Sequence, residues 1–568
     1  MQVKRYLGTI AITMLLSSTA MAAEKADLIL RDGKVLTVDK DFSVKSAVAV
    51  KDGKIVAVGG PEIMQRYSAP TVIDLKGRTL MPGFIDAHVH MQPMAPRQIS
   101  MEGVKSIADL QERIRAKAQQ LGPGEWITGF GWDEALLTDK RVPLRGDLDA
   151  AAPNNPIVLT RAGGHSSVGN SLALKLAKID RGTPDPKDGV IEHDAQGEPN
   201  GIIRERSDLY RNLVPEDSFE TLRESYITSI RKLLPLGITS FHSASTSIDD
   251  EPVSKGGIAD PGAGLTYRRL RAIYAEQGDS LPRVTAYISY PGPERLKAFP
   301  YRSGDGDVRV RLGGIGENPA DGGFTGPAAW LMVDYKGMPG FRGKGRYTDA
   351  ELQAMVDDCA RNGWQMALHA IGDAAIVQAV NAYAKSLETI QGPGRQGKDR
   401  RWFLDHFTIM PPEATMNQMA KDGIMIAQQP NFLYNLEGRY RAWLDDERLA
   451  HNNSVATPVK HGIFVAFSSD NLPIGPMVGI YAATTRKGPS GQTMGPEEAV
   501  SRADAIRMYT HNPAYLSWEE DIKGTIEPQR LADMIVLDRD PLTVPEEQLL
   551  TTHVDMTIVG GKIVYERK

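Results

Sequence analysis

Histidines 88 and 90 close the stretch MPGFIDAHVHM, residues 81–91, at the end of a short apolar run. Side chains on an extended strand alternate with period two, so both imidazoles point to one side, toward a barrel axis, and can reach one ion. A lone His-x-His pair is weak evidence for a metal ligand. Three further stretches strengthen it: WQMALHA carries His369, WFLDHF carries His406 and IFVAFSSD ends on Asp470. Imidazole and carboxylate together suit zinc, with manganese, iron or nickel as other fits. The chemistry open to such a set is hydrolysis, because a bound divalent ion lowers the pKa of water to about 7 and polarises a carbonyl.

For these residues to meet, distant elements must deliver them to one rim. Apolar runs at 83–90, 237–244, 283–289, 308–316, 364–370, 402–407, 423–429 and 463–470 read as strands. Helical patterns at 218–234, 348–362, 373–386 and 411–421 lie between several of them. Alternating strands and helices imply right-handed β-α-β units and a parallel sheet, and eight units close a barrel. The fold expected is α/β, a distorted (β/α)8 TIM barrel spanning 81–522, with His88, His90, His369, His406 and Asp470 at C-terminal strand ends. Residues 91 to about 235 are too many for one crossover and read as a lobe inserted over the mouth.

The chain ends repeat one design. ADLILRDGKVLTVD, SAVAVKDGKIVAVG and VDMTIVGGKIVYE each place Asp-Gly or Gly-Gly between alternating apolar runs, a hairpin signal. Hairpins with one apolar face need a covering layer, so residues 24–80 and 523–568 are expected to form one small β-sandwich.

With 41% hydrophobic and 24% charged residues, the chain reads as an ordinary globular protein rather than a disordered one. Residues 1–22 resemble a secretory signal, with Lys4 and Arg5, an apolar core and Ala20-Met21-Ala22 before the cut. The mature protein is therefore expected in the periplasm or secreted. No later run reaches the roughly 18 apolar residues of a membrane span, so no stable membrane anchor is expected. Cleavage removes Lys4 and Arg5 and no acid, moving the net charge from −5 to −7. Nucleic acid is excluded as a partner, since it needs a basic surface. Cys359 is the single cysteine and cannot form an internal disulfide; it reads as a small buried residue.

Among the other histidines, His165 in RAGGHSS lies in the inserted lobe, where it either contacts substrate or is a satisfied loop residue. His242 near the second strand end is packed behind the site or contacts substrate. His193, His451, His461, His511 and His553 read as structural.

Taken together, LMPGFIDAHVH, LGITSFHS, ALHAIGDAAI, LDHF, FSSD and GTIEPQRLADMIVLD resemble the amidohydrolase superfamily, in particular its YtcJ-like amidohydrolase 3 group. The resemblance implies a barrel with a terminal β-sandwich and metal-dependent hydrolysis of non-peptide C–N bonds. It also implies that His88, His90 and Asp470 hold one metal and His369 and His406 a second. Relatives bridge the two with a carboxylated lysine or a glutamate from strand 4. No lysine lies between Lys297 and Lys336, and Glu317 is the carboxylate placed just after that strand. Strict alternation would set Glu317 on the face of Arg309 and Arg311, unwelcome in a barrel interior. Gly313, Gly314 and Gly316 offer a bulge that redirects it. Asp321 is the fallback, and a mononuclear site is the other arrangement.

In this reading hydroxide attacks a carbonyl of a small-molecule substrate, while Asp470 acts as general acid and base. His242 or His165 is the candidate for a hydrogen bond to the oxyanion. A lactonase, esterase or deaminase on the same barrel, or a binding protein without catalysis, are the competing readings. Oligomeric state stays open, a homodimer included.

Overall fold

In the computed structural model the eight apolar runs form eight parallel strands that neighbour one another in chain order. They are β1 (Phe84–Val89), β2 (Ile238–Thr246), β3 (Arg283–Ile288), β4 (Val310–Pro319), β5 (Met366–Ala370), β6 (Phe403–His406), β7 (Met425–Gln428) and β8 (Val465–Phe467). The structure describes residues 23–568 apart from 92–93, 102, 135–136, 163, 216, 249–264, 325 and 472; the expected signal at 1–22 lies outside the described residues. β8 meets β1 where the Asp470 N–H donates to the His88 carbonyl at 2.8 Å, so the barrel is nearly closed.

Every position of β1 and of β3 is buried, as a sheet covered on both faces requires. Outward residues such as Leu312 and Leu368 pack on Leu352 and Val356 of helix Asp349–Arg361 and on Ile376 and Val380 of helix Asp373–Thr389. Helix Asp349–Arg361 starts where the Thr348 and Glu351 side chains cap each other's backbone N–H groups. Cys359 is buried on that helix. Inward residues Ala87, Tyr287, Ala367, Phe403 and Met425 fill the barrel.

The barrel floor is ionic. Arg311 points inward after all, and the interior accepts it because buried Glu519 lies 3.2 Å from its Nε. Glu519 also pairs with Lys523 at 2.7 Å. Arg309 stays outside, donating to Asp279 at 2.8 Å. Arg283 of β3 donates two hydrogen bonds, of 2.6 and 3.0 Å, to Asp533 of the C-terminal segment, and both are buried. Replacing Asp533 with alanine strands a buried guanidinium and is expected to cost about 3–5 kcal/mol in denaturant unfolding. A loss below about 1 kcal/mol, the range of a solvated pair, would refute that account.

The chain ends build two larger sheets besides a short pair, Glu24–Lys25 with Tyr67–Ser68. One orders strands Lys54–Gly59, Ala47–Lys51, Leu28–Arg31 and Thr71–Asp74; the other orders Lys562–Glu566, Val554–Val559, Met534–Leu537, Thr79–Pro82, Lys34–Leu36 and Val44–Lys45. Leu30, Val48 and Val50 from the first pack against Val35, Met534, Val536 and Ile558 from the second. Two of the three turn signals close hairpins: Asp52-Gly53 (φ 51° and 74°) and Gly560-Gly561 (φ 54° and 75°) supply paired positive φ values. The Asp32-Gly33 turn does not. Only Asp32 there is left-handed (φ 55°), and the chain crosses between sheets, with Leu28–Arg31 in one and Lys34–Leu36 in the other.

Between β1 and β2 stands a six-stranded mixed sheet: Gln98–Ile99, Ile127–Trp132, Ile157–Arg161, Ser166–Gly169, Pro199–Arg204 and Val190–His193. Its own core gathers Ile99, Leu110, Ile114, Trp132, Leu159 and Ile202. Helix Phe219–Arg231 instead buries Tyr226, Ile227 and Ile230 in the barrel's outer core, so it is a barrel crossover helix rather than part of the lobe. Among the described residues no helix is long and apolar enough to cross a membrane.

Candidate metal centre

Six side chains converge at the C-terminal rim of the barrel. In three overlapping groups, His88 with His90 and Glu317, His88 with His406 and Asp470, and Glu317 with His369 and His406, one donor atom from each residue lies within 4.8 Å of the others. The His88 and His90 Nε2 atoms stand 3.2 Å apart. Glu317 is the hub. One of its oxygens lies 3.2 Å from His90 Nε2 and 3.9 Å from His88 Nε2, while the other contacts His369 Nδ1 and, at 2.9 Å, His406 Nε2. Asp470 Oδ1 approaches His90 Nε2 to 3.4 Å.

Irregular backbone makes this convergence. In β1 the register against β2 slips between Asp86 and Val89, so His88 sits in a bulge and His90 just beyond the strand. β4 holds two such slips. Ala286 and Ile288 of β3 face Leu312 and Ile315, and then Met366 and Leu368 of β5 face Ile315 and Asn318. Each slip inserts one residue, and together they carry Glu317 into the cluster. His406 (φ 79°) and Asp470 (φ 60°) occupy the left-handed region, uncommon for residues other than glycine and typical of functional sites. At His406 this breaks the alternation of β6, so that adjacent Asp405 and His406 both face inward.

Supporting groups orient the imidazoles, and sequence reasoning passed over most of them. His88 Nδ1 lies 3.0 Å from buried Asp405, and His406 Nδ1 donates to Gln429 Oε1 at 2.8 Å, which leaves each Nε2 facing the centre. Asp405 stands inside the LDHF stretch, beside a histidine already singled out; only the strict-alternation rule hid it. Asp321, the fallback bridge, is placed elsewhere. Its carboxylate accepts backbone N–H groups of Trp330, Ile371 and Gly372 at 2.8–3.0 Å and lies 3.5 Å from His369 Nε2, on the side away from Glu317.

Electrostatics favours positive charge at the centre. Burial alone would raise Glu317, yet His369, His406 and His90 hold it well below the usual carboxylate range. Burial would lower His88, but the Asp405 and Glu317 carboxylates carry it up to about 9. Burial, aided by His406, pushes His369 down to about 3. The field that raises His88 also favours a divalent cation, whose binding needs neutral imidazole and releases a proton. The donor set fits such an ion: four imidazoles, two carboxylates, and a buried Asp470 Oδ1 that makes no hydrogen bond among the described residues.

The two candidate substrate contacts separate. His165 reaches over from the lobe, its Nδ1 3.2 Å from Glu205, which Arg346 also holds at 3.0 Å; a Cβ added at Gly323 would lie 3.0 Å from His165 Nε2. It faces the segment after β4, beside the mouth. His242 is fully buried in the barrel beneath the centre, its ring 5.5 Å from that of Tyr287, and burial with Lys523 nearby lowers its pKa to about 3. It stands behind the site, in the packed role that was one of its two readings. His451 pairs with buried Glu498 at 3.0 Å, a structural contact.

Replacing Asp405 with asparagine is expected to weaken metal affinity about 10–100-fold, the usual cost of losing a carboxylate behind a ligating imidazole. Competition with a chelating dye measures it; unchanged affinity would remove Asp405 from the site.

Comparison with known proteins follows the same outline. The profile described as "Amidohydrolase family" matches residues 71–565. The chain is 28% identical over 553 residues to the putative amidohydrolase YtcJ of Bacillus subtilis, covering 95% of this chain and 99% of that protein. It is 27% identical over 563 residues to the N-substituted formamide deformylase of Arthrobacter pascens, covering 95% and 98%. Among solved structures, a metal-dependent hydrolase from Pyrococcus horikoshii matches with a TM-score of 0.70 at 25% identity, covering 92% of this chain and 99% of that one. Because the matched stretch runs from strand Thr71–Asp74 through all eight barrel strands and into the last strand, Lys562–Glu566, the chain belongs to the amidohydrolase family of hydrolases.

Proposed function

We propose that the protein is a metal-dependent hydrolase that cleaves an amide-type, non-peptide C–N bond in a small molecule, with Asp470 moving the proton. The observation that carries this reading is the Asp470 carboxylate, whose buried Oδ1 accepts no hydrogen bond among the described residues and lies 3.4 Å from His90 among six convergent donor side chains. His88, His90 and Asp470 would hold one divalent ion, His369 and His406 a second, with Glu317 between them. When bound, such ions, zinc being the best match to these donors, supply Lewis-acid polarisation of the scissile carbonyl and lower the pKa of water.

The chain's own residues do the rest. Asp470 Oδ1 takes the proton of the attacking water and returns it to the departing nitrogen, so that an amine rather than an amide anion leaves. Asp405 and Gln429 keep His88 and His406 in the tautomers that face the centre. His165, held by Glu205, would donate to the substrate from the lobe side. The deformylase relative supports an N-acyl substrate over an ester.

Elemental analysis of purified protein, combined with N-acyl, cyclic amide and ester substrates, tests the reading. One or two equivalents of metal with amine release are expected; ester cleavage alone would turn it into a lactonase or esterase, and neither metal nor turnover after reconstitution would end it. The leader at 1–22 supports export to the periplasm or beyond, and the exported protein should begin at Ala23. A mature form that keeps Met1 would overturn that placement.

A further inference from the structure

A second cleft of about 90 Å³ opens at the opposite end of the barrel, where Arg302 precedes β4, Trp364 precedes β5, Arg400 precedes β6 and Trp518 follows β8. Its lining holds three arginines, Arg302, Arg395 and Arg400, and no carboxylate, although the protein as a whole is acidic. Arg400 is 3% exposed. Its two terminal nitrogens donate to the carbonyls of Ala360 (3.0 Å) and Ile390 (3.2 Å) and to Gln396 (3.0 Å), while its buried Nε has no partner. Arg302 spends one nitrogen on the carbonyls of Phe299 and Tyr301. Neither guanidinium pairs with a carboxylate among the described residues, whereas Arg395 stands 3.8 Å from exposed Asp399. Trp364 Nε1 is a further buried donor without a partner. Ser303 Oγ accepts from the Gln365 N–H at 2.9 Å, so its own hydrogen is left to give.

A buried guanidinium without an anion is costly, and burial lowers the Arg400 pKa accordingly. Guanidinium forks match the oxygens of phosphate in geometry and charge. Trp518 forms one wall, with the Arg395 guanidinium held 4.2 Å over its ring and that of Arg401 5.7 Å from it. We propose that this cleft is a binding site for a phosphate-class oxyanion, free phosphate or a phosphate monoester, held by Arg302, Arg395 and Arg400 and separate from the metal centre.

Titration calorimetry of the metal-loaded protein with inorganic phosphate and with phenyl phosphate tests it, sodium chloride at matched ionic strength serving as control. Saturable binding of either probe is expected, weakened at least about tenfold in the double variant Arg302→Gln and Arg395→Gln with basal turnover kept, since each charged hydrogen bond lost is worth about that much. Equal affinities for the probes would identify phosphate itself as the ligand, and tighter phenyl phosphate an ester whose organic group also meets the cleft wall. Should the double variant misfold, Arg395→Glu at a more exposed side chain carries the same expectation. Heat matched by chloride, no saturable binding, or binding undiminished in the variants, as phosphate seated at the metal centre would give, overturns the proposal.

Discussion

Asp470→Asn is expected to lower kcat about 10²–10⁴-fold, the range assigned to a positioned acid-base group, while leaving the fold intact. Asparagine has nearly the same shape and tolerates the left-handed backbone found at position 470 (φ 60°), so the substitution spares the backbone while removing the carboxylate's charge and its ability to hold a proton; metal content of the variant, measured beside kcat, separates the two losses. Alanine would add backbone strain there and blur the result. Oδ1 is the informative atom because it is buried, lies 3.4 Å from His90 and makes no hydrogen bond among the described residues, leaving it able to accept a proton. Steady-state kinetics on the best substrate, with circular dichroism as the folding control, gives the answer. A variant within threefold of the parent, about 0.7 kcal/mol of barrel chemistry at most, would remove Asp470 from the mechanism.

Glu317→Gln is expected to reduce bound metal from two equivalents to one or fewer and to weaken affinity by more than about 100-fold, beyond the cost of losing a supporting carboxylate. Among the described residues Glu317 is the carboxylate near all four imidazoles, with distances of 2.9 Å to His406, 3.2 Å to His90 and 3.9 Å to His88 besides its contact with His369. Glutamine keeps the volume but offers one neutral oxygen in place of two charged ones, so it cannot serve both sides of the centre at once. Metal content after dialysis against a weak chelator measures the change. Two equivalents retained in the variant would assign the bridge elsewhere, and one equivalent in the parent would make the centre mononuclear.

The two variants also separate the hydrolase reading from a binding protein on the same barrel. A binding protein would lose metal with Glu317→Gln but show no turnover for Asp470→Asn to remove.

Several features were legible because they rest on local rules. All eight strands lie where apolar runs and turn residues put them, and strand-end placement brought His88, His90, His369, His406 and Asp470 to one rim. Glu317 was reached through the family resemblance, which implies a ligand from strand 4, with the glycines explaining how β4 could bulge to turn it inward. Local rules failed where the tertiary environment reversed them. Arg311 faces the interior because Glu519, some two hundred residues later, neutralises it there. Asp405 was missed because the left-handed His406 lets two adjacent residues share one side of a strand. The Asp32-Gly33 turn has the composition of a hairpin, yet its strands find better partners in opposite sheets.

The sequence by itself determined the strand and helix periods, the family, and which residue types stand at strand ends, because those depend on neighbours a few positions away. Only the tertiary structure decided which nitrogen of each imidazole faces the centre, that Glu317 stands among the four histidines while Asp405 lies behind His88, and that His242 is buried beneath them. Those outcomes turn on register slips of one residue and on contacts between segments hundreds of positions apart, and no local pattern encodes either.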